Sequence, residues 1–153
     1  MFKNQLFTLL AIAVLSFTAC QGNDKEAESK LYEDVMTVHN ECMPKMAELN
    51  RVKRHLKEYK DIVPDESSSL KDSLINTILI LSKSEDNMND WMEKFNYPNP
   101  NISHEEMLKY LTGQRDSIKK ISDDIFMSLA IGKGFLNNAP DSLKTRLDIK
   151  TDK

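Results

Sequence analysis

The sequence predicts an all-α protein: an antiparallel, coiled-coil-like bundle of three long helices, with room for a short fourth helix at the C-terminal end. Three observations support this. Apolar residues recur in alternating steps of three and four along most of the chain, the spacing of a helical seam rather than of a strand. Proline-bearing breaks divide that spacing at two interior places, around Pro64 and around Pro98 and Pro100. Glycine is scarce, at 4 of 153 residues, and the abundant Leu, Lys, Glu, Ser and Met favour helix.

The first 19 residues stand apart from this pattern. Lys3 supplies one positive charge, and an apolar run from Leu6 to Ala19 follows, interrupted only by Thr8, Ser16 and Thr18. A helix of that length reaches only about 21 Å, short of the ~30 Å hydrocarbon core, so the run reads as a secretory signal peptide rather than a membrane span. Its ending, Phe17-Thr18-Ala19-Cys20, resembles the lipobox of bacterial lipoproteins, with Phe17 in place of the usual Leu. The resemblance implies cleavage before Cys20 and lipidation of Cys20, which would anchor the chain to a membrane. Gln21 follows the cysteine where an Asp would imply retention at the inner membrane, so the implied address is the outer membrane, facing the periplasm or the cell surface. Residues 20–30 then form a lipidated polar tether: Gln21 to Lys30 holds no apolar residue larger than Ala27. With Cys20 acylated, Cys42 is left without a disulfide partner.

The bundle is expected over residues 31–139. The first helix, about 30–62, carries the seam Leu31, Val35, Val38, Cys42, Leu49, Val52, Leu56 and Tyr59, interrupted by Lys45. A second row of Tyr32, Met36, His39, Met43 and Met46 widens its apolar face. Pro44 removes one backbone donor inside this helix and predicts a kink. The second helix, about 66–96, is expected to be capped by Asp65 or a following serine. Its seam reads Leu74, Ile78, Leu81, Glu85, Met88, Met92 and Phe95, widened by Leu70, Ile75, Leu79 and Trp91. The third, about 103–137, has the clearest start: Ser103 and Glu106 form a capping box, and Ile102 and Met107 are placed to form a hydrophobic staple. Gly132 and Gly134 are expected to loosen its end. Residues 140–153 form a C-terminal tail, helical around Leu143 and Leu147 or frayed.

Charge and motifs exclude more than they identify. The chain carries 21 Lys and Arg against 24 Asp and Glu, interspersed, with no basic stripe to bind nucleic acid. The adjacent acidic pairs, such as Glu33-Asp34 and Asp123-Asp124, read as solvated helix faces, and no convergent catalytic set is visible, so no enzyme is expected. His39 shares a helical face with Met43 and Met46, and Met88 and Met92 lie one turn apart on a helix expected to run antiparallel to it. Thioether sulfurs are ordinary core fillers, and that is the first reading of these residues, with no cofactor. The alternative is a Cu(I) site built from His39, Met43, Met46, Met88 and Met92, since soft sulfurs with one imidazole suit that ion. A non-covalent haem on His39 and a Met is a further reading, whereas covalent haem is excluded because C-x-x-C-H is absent.

Two stretches also carry a resemblance. Val38-His39-Asn40-Glu41-Cys42-Met43-Pro44-Lys45-Met46 and Met88-Asn89-Asp90-Trp91-Met92-Glu93-Lys94-Phe95 are similar to the H-[DN]-E-x-M-P-K-M and M-x-x-W-M-x-x-F motifs of small helical bacterial lipoproteins often labelled "viral A-type inclusion protein". The label implies no activity. The resemblance implies that Pro44, Trp91 and Phe95 belong to one structural or interaction feature with the His/Met face. The resulting expectation is a non-enzymatic envelope lipoprotein whose bundle scaffolds or binds an envelope protein partner or a second copy of itself.

Overall fold

In the computed structural model of the chain, the described residues are 18–97 and 101–149, with side chains from Asp24 onward. The signal segment lies outside the described residues except for its last two positions. The elements are α1 (Thr18–Ile62), a 3-10 turn (Asp65–Ser67), α2 (Ser68–Lys94), α3 (His104–Asn137) and α4 (Asp141–Arg146), and no strand occurs among the described residues. The all-α class and the bundle are therefore as the apolar spacing predicts.

Cross-helix contacts set the directions. His39 meets Trp91 and Asn50 meets Glu85, so α1 and α2 run antiparallel. Phe95 lies beside Tyr110, and Ser84 Oγ reaches the Asp124 carbonyl at 3.3 Å, so α2 and α3 are antiparallel as well. Glu28 meets His104 and Glu48 meets Lys133, which leaves α1 and α3 parallel. Short connections after α1 and α2 make this up-down-up arrangement the simplest one.

The polar tether expected over 20–30 is instead the beginning of α1. Lys, Glu and Ala in this stretch are good helix formers, and helix already propagating from the bundle needs no new nucleus. The stretch also has an anchor: the Glu28 carboxylate lies 2.7 Å from His104 Nδ1, and Asp24 lies 3.6 Å from His104 Nε2. Its polarity marks exposure to solvent, which a helix tolerates. Pro44 sits exposed within α1, and the helix continues through it without a break.

The α1 seam is buried as expected at Val35, Cys42, Leu49, Val52, Leu56 and Tyr59. The α2 seam is buried as expected at Leu74, Leu81 and Met88, with Ile78, Met92 and Phe95 packed on the core, but the helix is turned so that Thr77, Ser84 and Trp91 complete the buried face. Leu74, Thr77, Leu81, Ser84, Met88 and Trp91 are buried, whereas Leu79 is 60% exposed and Ile75 40%. Thr77 and Ser84 can occupy the core because each hydroxyl donates to its own helix, to the Ser73 carbonyl at 2.8 Å and the Ile80 carbonyl at 3.1 Å. The expected side-chain cap of α2 does not form. Asp65 accepts from Lys71 Nζ at 2.6 Å instead, and the 3-10 turn leads into the helix through a bond from Ser67 N–H to the Pro64 carbonyl at 3.0 Å.

The capping box of α3 forms in both directions: Glu106 N–H donates to Ser103 Oγ at 3.3 Å, and Ser103 N–H donates to Glu106 Oε2 at 2.9 Å. The Ser103 N–H, and after it the Ser103 hydroxyl donating to the same oxygen at 2.8 Å, hold the Glu106 carboxyl below its ordinary pKa. Near its other end α3 is tightly packed rather than loosened. Gly132 is buried, and a Cβ there would stand 2.6 Å from Val52 Cγ1, 3.3 Å from Leu81 Cδ1 and 3.4 Å from Leu56 Cδ1. Its missing side chain thus lets all three long helices meet.

The C-terminal tail forms α4, whose Leu143 is 1% exposed, with Ala139 buried before it and Leu147 and Ile149 packed on the core. A Schellman arrangement ends it: Ile149 N–H donates to the Lys144 carbonyl at 3.0 Å and Asp148 N–H to the Thr145 carbonyl at 3.4 Å. Asp148 takes the left-handed position, at φ 49°, where glycine is usual.

Two ion pairs tie the helices together with their carboxylates mostly enclosed. Glu85 on α2 accepts from Lys53 and Asn50 of α1, and Glu48 on α1 accepts from Lys133 of α3 and from Lys45. The Lys53 and Lys133 hydrogen bonds are the main reason that both carboxyls titrate below the ordinary glutamate value, against burial, which pushes them up. An unfolded glutamate titrates near ~4.3. Both pairs therefore contribute fully above that value and lose their contribution as pH falls through the lower folded-state pKa. Glu85→Gln is expected to cost about 1–2 kcal/mol at pH 7, between the values for exposed and buried pairs. Urea unfolding at intervals from about pH 7 to about pH 3 should show the gap to wild type closing as the wild-type carboxyl takes up its proton. A gap that stays constant down to the acid end would mean that the Glu85 charge contributes nothing.

Candidate functional site

Of the residues singled out in the sequence, His39, Trp91 and Phe95 come together in the half of the bundle nearer Cys20. Heptad-like spacing puts His39 and Tyr32 on the flank of α1 that turns toward α2, and Trp91 and Phe95, one turn apart, on the facing flank of α2. The result is an aromatic stack crossing all three long helices. The Trp91 and Phe95 rings lie 4.7 Å apart and nearly parallel at 19°, and His39 lies 5.7 Å from Trp91. Tyr32 stands 6.3 Å from Phe95 and meets Tyr97 edge-on at 5.1 Å, and Tyr110 of α3 lies 6.4 Å from Phe95. Tyr110 also locks the end of α2, donating its hydroxyl to the Asn96 carbonyl at 2.7 Å. Tyr32 belongs to the apolar face of α1 in the sequence, whereas Tyr110 sits at no seam position that marks it.

Trp91 is 8% exposed, and its Nε1 has no hydrogen-bond partner among the described residues. A buried indole N–H ordinarily finds one. The ring is held here by stacking and burial alone.

The His/Met face is divided between surface and interior. Met88 is fully buried and Met46 nearly so, Met92 is half-buried against the core, and Met43 is 37% exposed beside the exposed Pro44. The His39 Nδ1 lies 3.2 Å from Asn40 Oδ1. Among the described residues no group of three or more His, Cys, Asp or Glu side chains is arranged to hold a metal ion. Cys42 is free and wholly enclosed on the α1 seam, as expected of a small apolar filler. Cys20 lies in the first turn of α1, and its side chain is outside the described residues.

At the far end of the bundle are two features that the sequence did not announce. A groove of about 380 Å³ lies between the end of α1 and the start of α2, with Ile75, Ile78 and Leu79 along one wall and Lys57, Lys60 and Asp61 along the other. A cleft of about 390 Å³ lies between α1, the end of α3 and the residues after α4, and includes Arg51, His55 and Asp148. Burial, followed by the neighbouring Arg54 charge, holds the His55 pKa below its ordinary value. The only prior sign of the groove was the row of aliphatics on α2, which read as core; the cleft depends on α4 docking and left no sign.

No described helix is long and apolar enough to cross a membrane. No protein-family model matches the chain, and no curated protein or solved structure is found similar to it.

Proposed function

We propose that this chain is a lipid-anchored, non-enzymatic lipoprotein of the bacterial cell envelope that binds a helical protein partner in the groove between α1 and α2. The observation that carries the reading is the aliphatic row on α2. Leu79 and Ile75, one turn apart, leave 60% and 40% of their surface open, beside Ile78 and the side chains of Lys57 and Lys60. Contiguous exposed aliphatics in a groove rimmed by charge suit an amphipathic helix laid into it, with acidic residues along the edge that meets the two lysines. Lys60 already pairs with Asp61, while Lys57 has no ion-pair partner among the described residues.

The lipobox-like ending at Cys20 supports the anchor, and the course of α1 supports a geometry. Because α1 is helical from Thr18 onward, about 37 residues at ~1.5 Å each separate Cys20 from Lys57, roughly 55 Å. A lipid at Cys20 would then hold the groove away from the membrane on a stiff rod rather than a loose tether.

Two measurements test this. Cys20→Ser is expected to abolish incorporation of a labelled fatty acid and to move the protein out of the membrane fraction. A photo-crosslinking amino acid at Leu79 should capture one discrete partner in cells, with a control at exposed Lys119 on α3 capturing none. Ile75→Asp in the same chain should abolish the Leu79 product. Fatty-acid labelling that survives Cys20→Ser removes the anchor. A Leu79 product indifferent to Ile75→Asp removes the groove, and a product of two copies of this chain replaces the foreign partner with self-association.

A further inference from the structure

The cleft beside α4 is separate from the aromatic stack and from the Leu79 groove. Val52 and Leu136, both nearly fully buried, and half-buried Ile149 form its apolar wall. Glu48 and Lys133 reach it but neutralise each other. That leaves two opposite charges, Arg51 and Asp148, each lining the cleft without a hydrogen bond or ion pair to any described residue, and not paired with one another. His55, its pKa lowered by burial and Arg54, adds an uncharged imidazole at neutral pH.

Asp148 is placed by the turn that ends α4. It occupies the left-handed position of the Schellman turn at φ 49°, where glycine is usual and aspartate is among the few other residues that fit readily. Its carboxylate makes no hydrogen bond or ion pair among the described residues. The turn thus fixes an exposed carboxylate on the cleft lining, where it can meet a ligand cation.

We infer that this cleft binds a small zwitterion with an apolar body. Its carboxylate is held by the Arg51 guanidinium, which matches a planar carboxylate with two parallel donors. Its ammonium is held by the Asp148 carboxylate, and its apolar part lies on Val52, Leu136 and Ile149. A volume of about 390 Å³ suits a molecule of amino-acid size.

The test is calorimetric titration of the full chain at neutral pH with L-leucine, with leucinamide, which lacks the carboxylate, and with 4-methylpentanoate, which lacks the ammonium. L-Leucine should bind saturably, and each analogue should bind about tenfold more weakly or worse. Arg51→Gln and Asp148→Gly should each weaken L-leucine binding by about the same factor. Arg51 is exposed, so its variant should melt like wild type, and Asp148→Gly should melt higher because glycine relieves the left-handed backbone. Loss of binding in a variant that folds more stably cannot be an unfolding effect. The inference is overturned if L-leucine does not bind, if either analogue binds as tightly, or if either variant binds as wild type does.

Discussion

Trp91→Ala is expected to lower the free energy of unfolding by about 3–5 kcal/mol, whereas Trp91→Phe should cost no more than about 1 kcal/mol. The two substitutions separate what the ring does from what its N–H does. Alanine removes a side chain that is 8% exposed and stacked between His39 at 5.7 Å and Phe95 at 4.7 Å, leaving a void where α1 and α2 meet. The loss combines buried apolar surface, the stacking energy and the cavity left behind. Phenylalanine keeps a stacked ring and deletes Nε1, which lacks a partner among the described residues, so the relief of an unsatisfied donor offsets much of the lost area. Urea unfolding followed by far-ultraviolet circular dichroism measures both. If alanine costs under about 1 kcal/mol, the stack is not part of the core; if phenylalanine costs nearly as much as alanine, the indole N–H is satisfied.

Gly132→Ala should destabilise by about 1–3 kcal/mol even though alanine is the better helix former by about 1 kcal/mol. The added Cβ would stand 2.6 Å from Val52 Cγ1, inside any real contact distance, and Leu81 and Leu56 close the other sides. Gly134→Ala is the control, because nothing lies within 4 Å of the Cβ it would add. It should raise the melting temperature through helix propensity alone. A double-mutant cycle adds a sign: Val52→Ala removes the clashing methyl, so Gly132→Ala should be less harmful, or stabilising, in that background. Equal effects of Gly132→Ala in both backgrounds would mean that the helices separate rather than press on Val52.

The fate of α2 shows where periodicity stops being informative. Its aliphatics occupy two neighbouring stripes, so the spacing admits more than one rotation of the helix about its axis. The rotation adopted buries Thr77 and Ser84 and leaves Ile75 and Leu79 in solvent. Hydropathy alone opposes that choice. It is possible because each hydroxyl bonds within its own helix, and because small side chains let the helices approach closely. The candidate groove therefore consists of residues whose sequence signal pointed to the core. Residues 24–30 err in the other direction. Their composition correctly marks exposure, but polarity does not distinguish a tether from a solvated helix, and the contacts of Asp24 and Glu28 with His104 come from a residue 76 positions away from Glu28.

The aromatic stack was partly visible. Trp91 and Phe95 share a face by spacing, and His39 lies on the flank of α1 that an antiparallel α2 would meet. The sequence could not show that Tyr110 of α3 closes the same stack, nor that Met43 faces solvent while Met88 is enclosed.

By itself, the sequence determined the helical class, the positions of the breaks, the α3 capping box and the α1 seam. All of these depend on neighbours within a turn or two, where propensity, capping and spacing act. Only the tertiary structure decided the rotation of α2, the docking of α4, the close approach at Gly132 and the cleft that sets Arg51 and Asp148 apart unpaired. Each of those depends on how far one helix turns or advances against another, a balance of volume and hydrogen bonding that no single stretch of sequence contains.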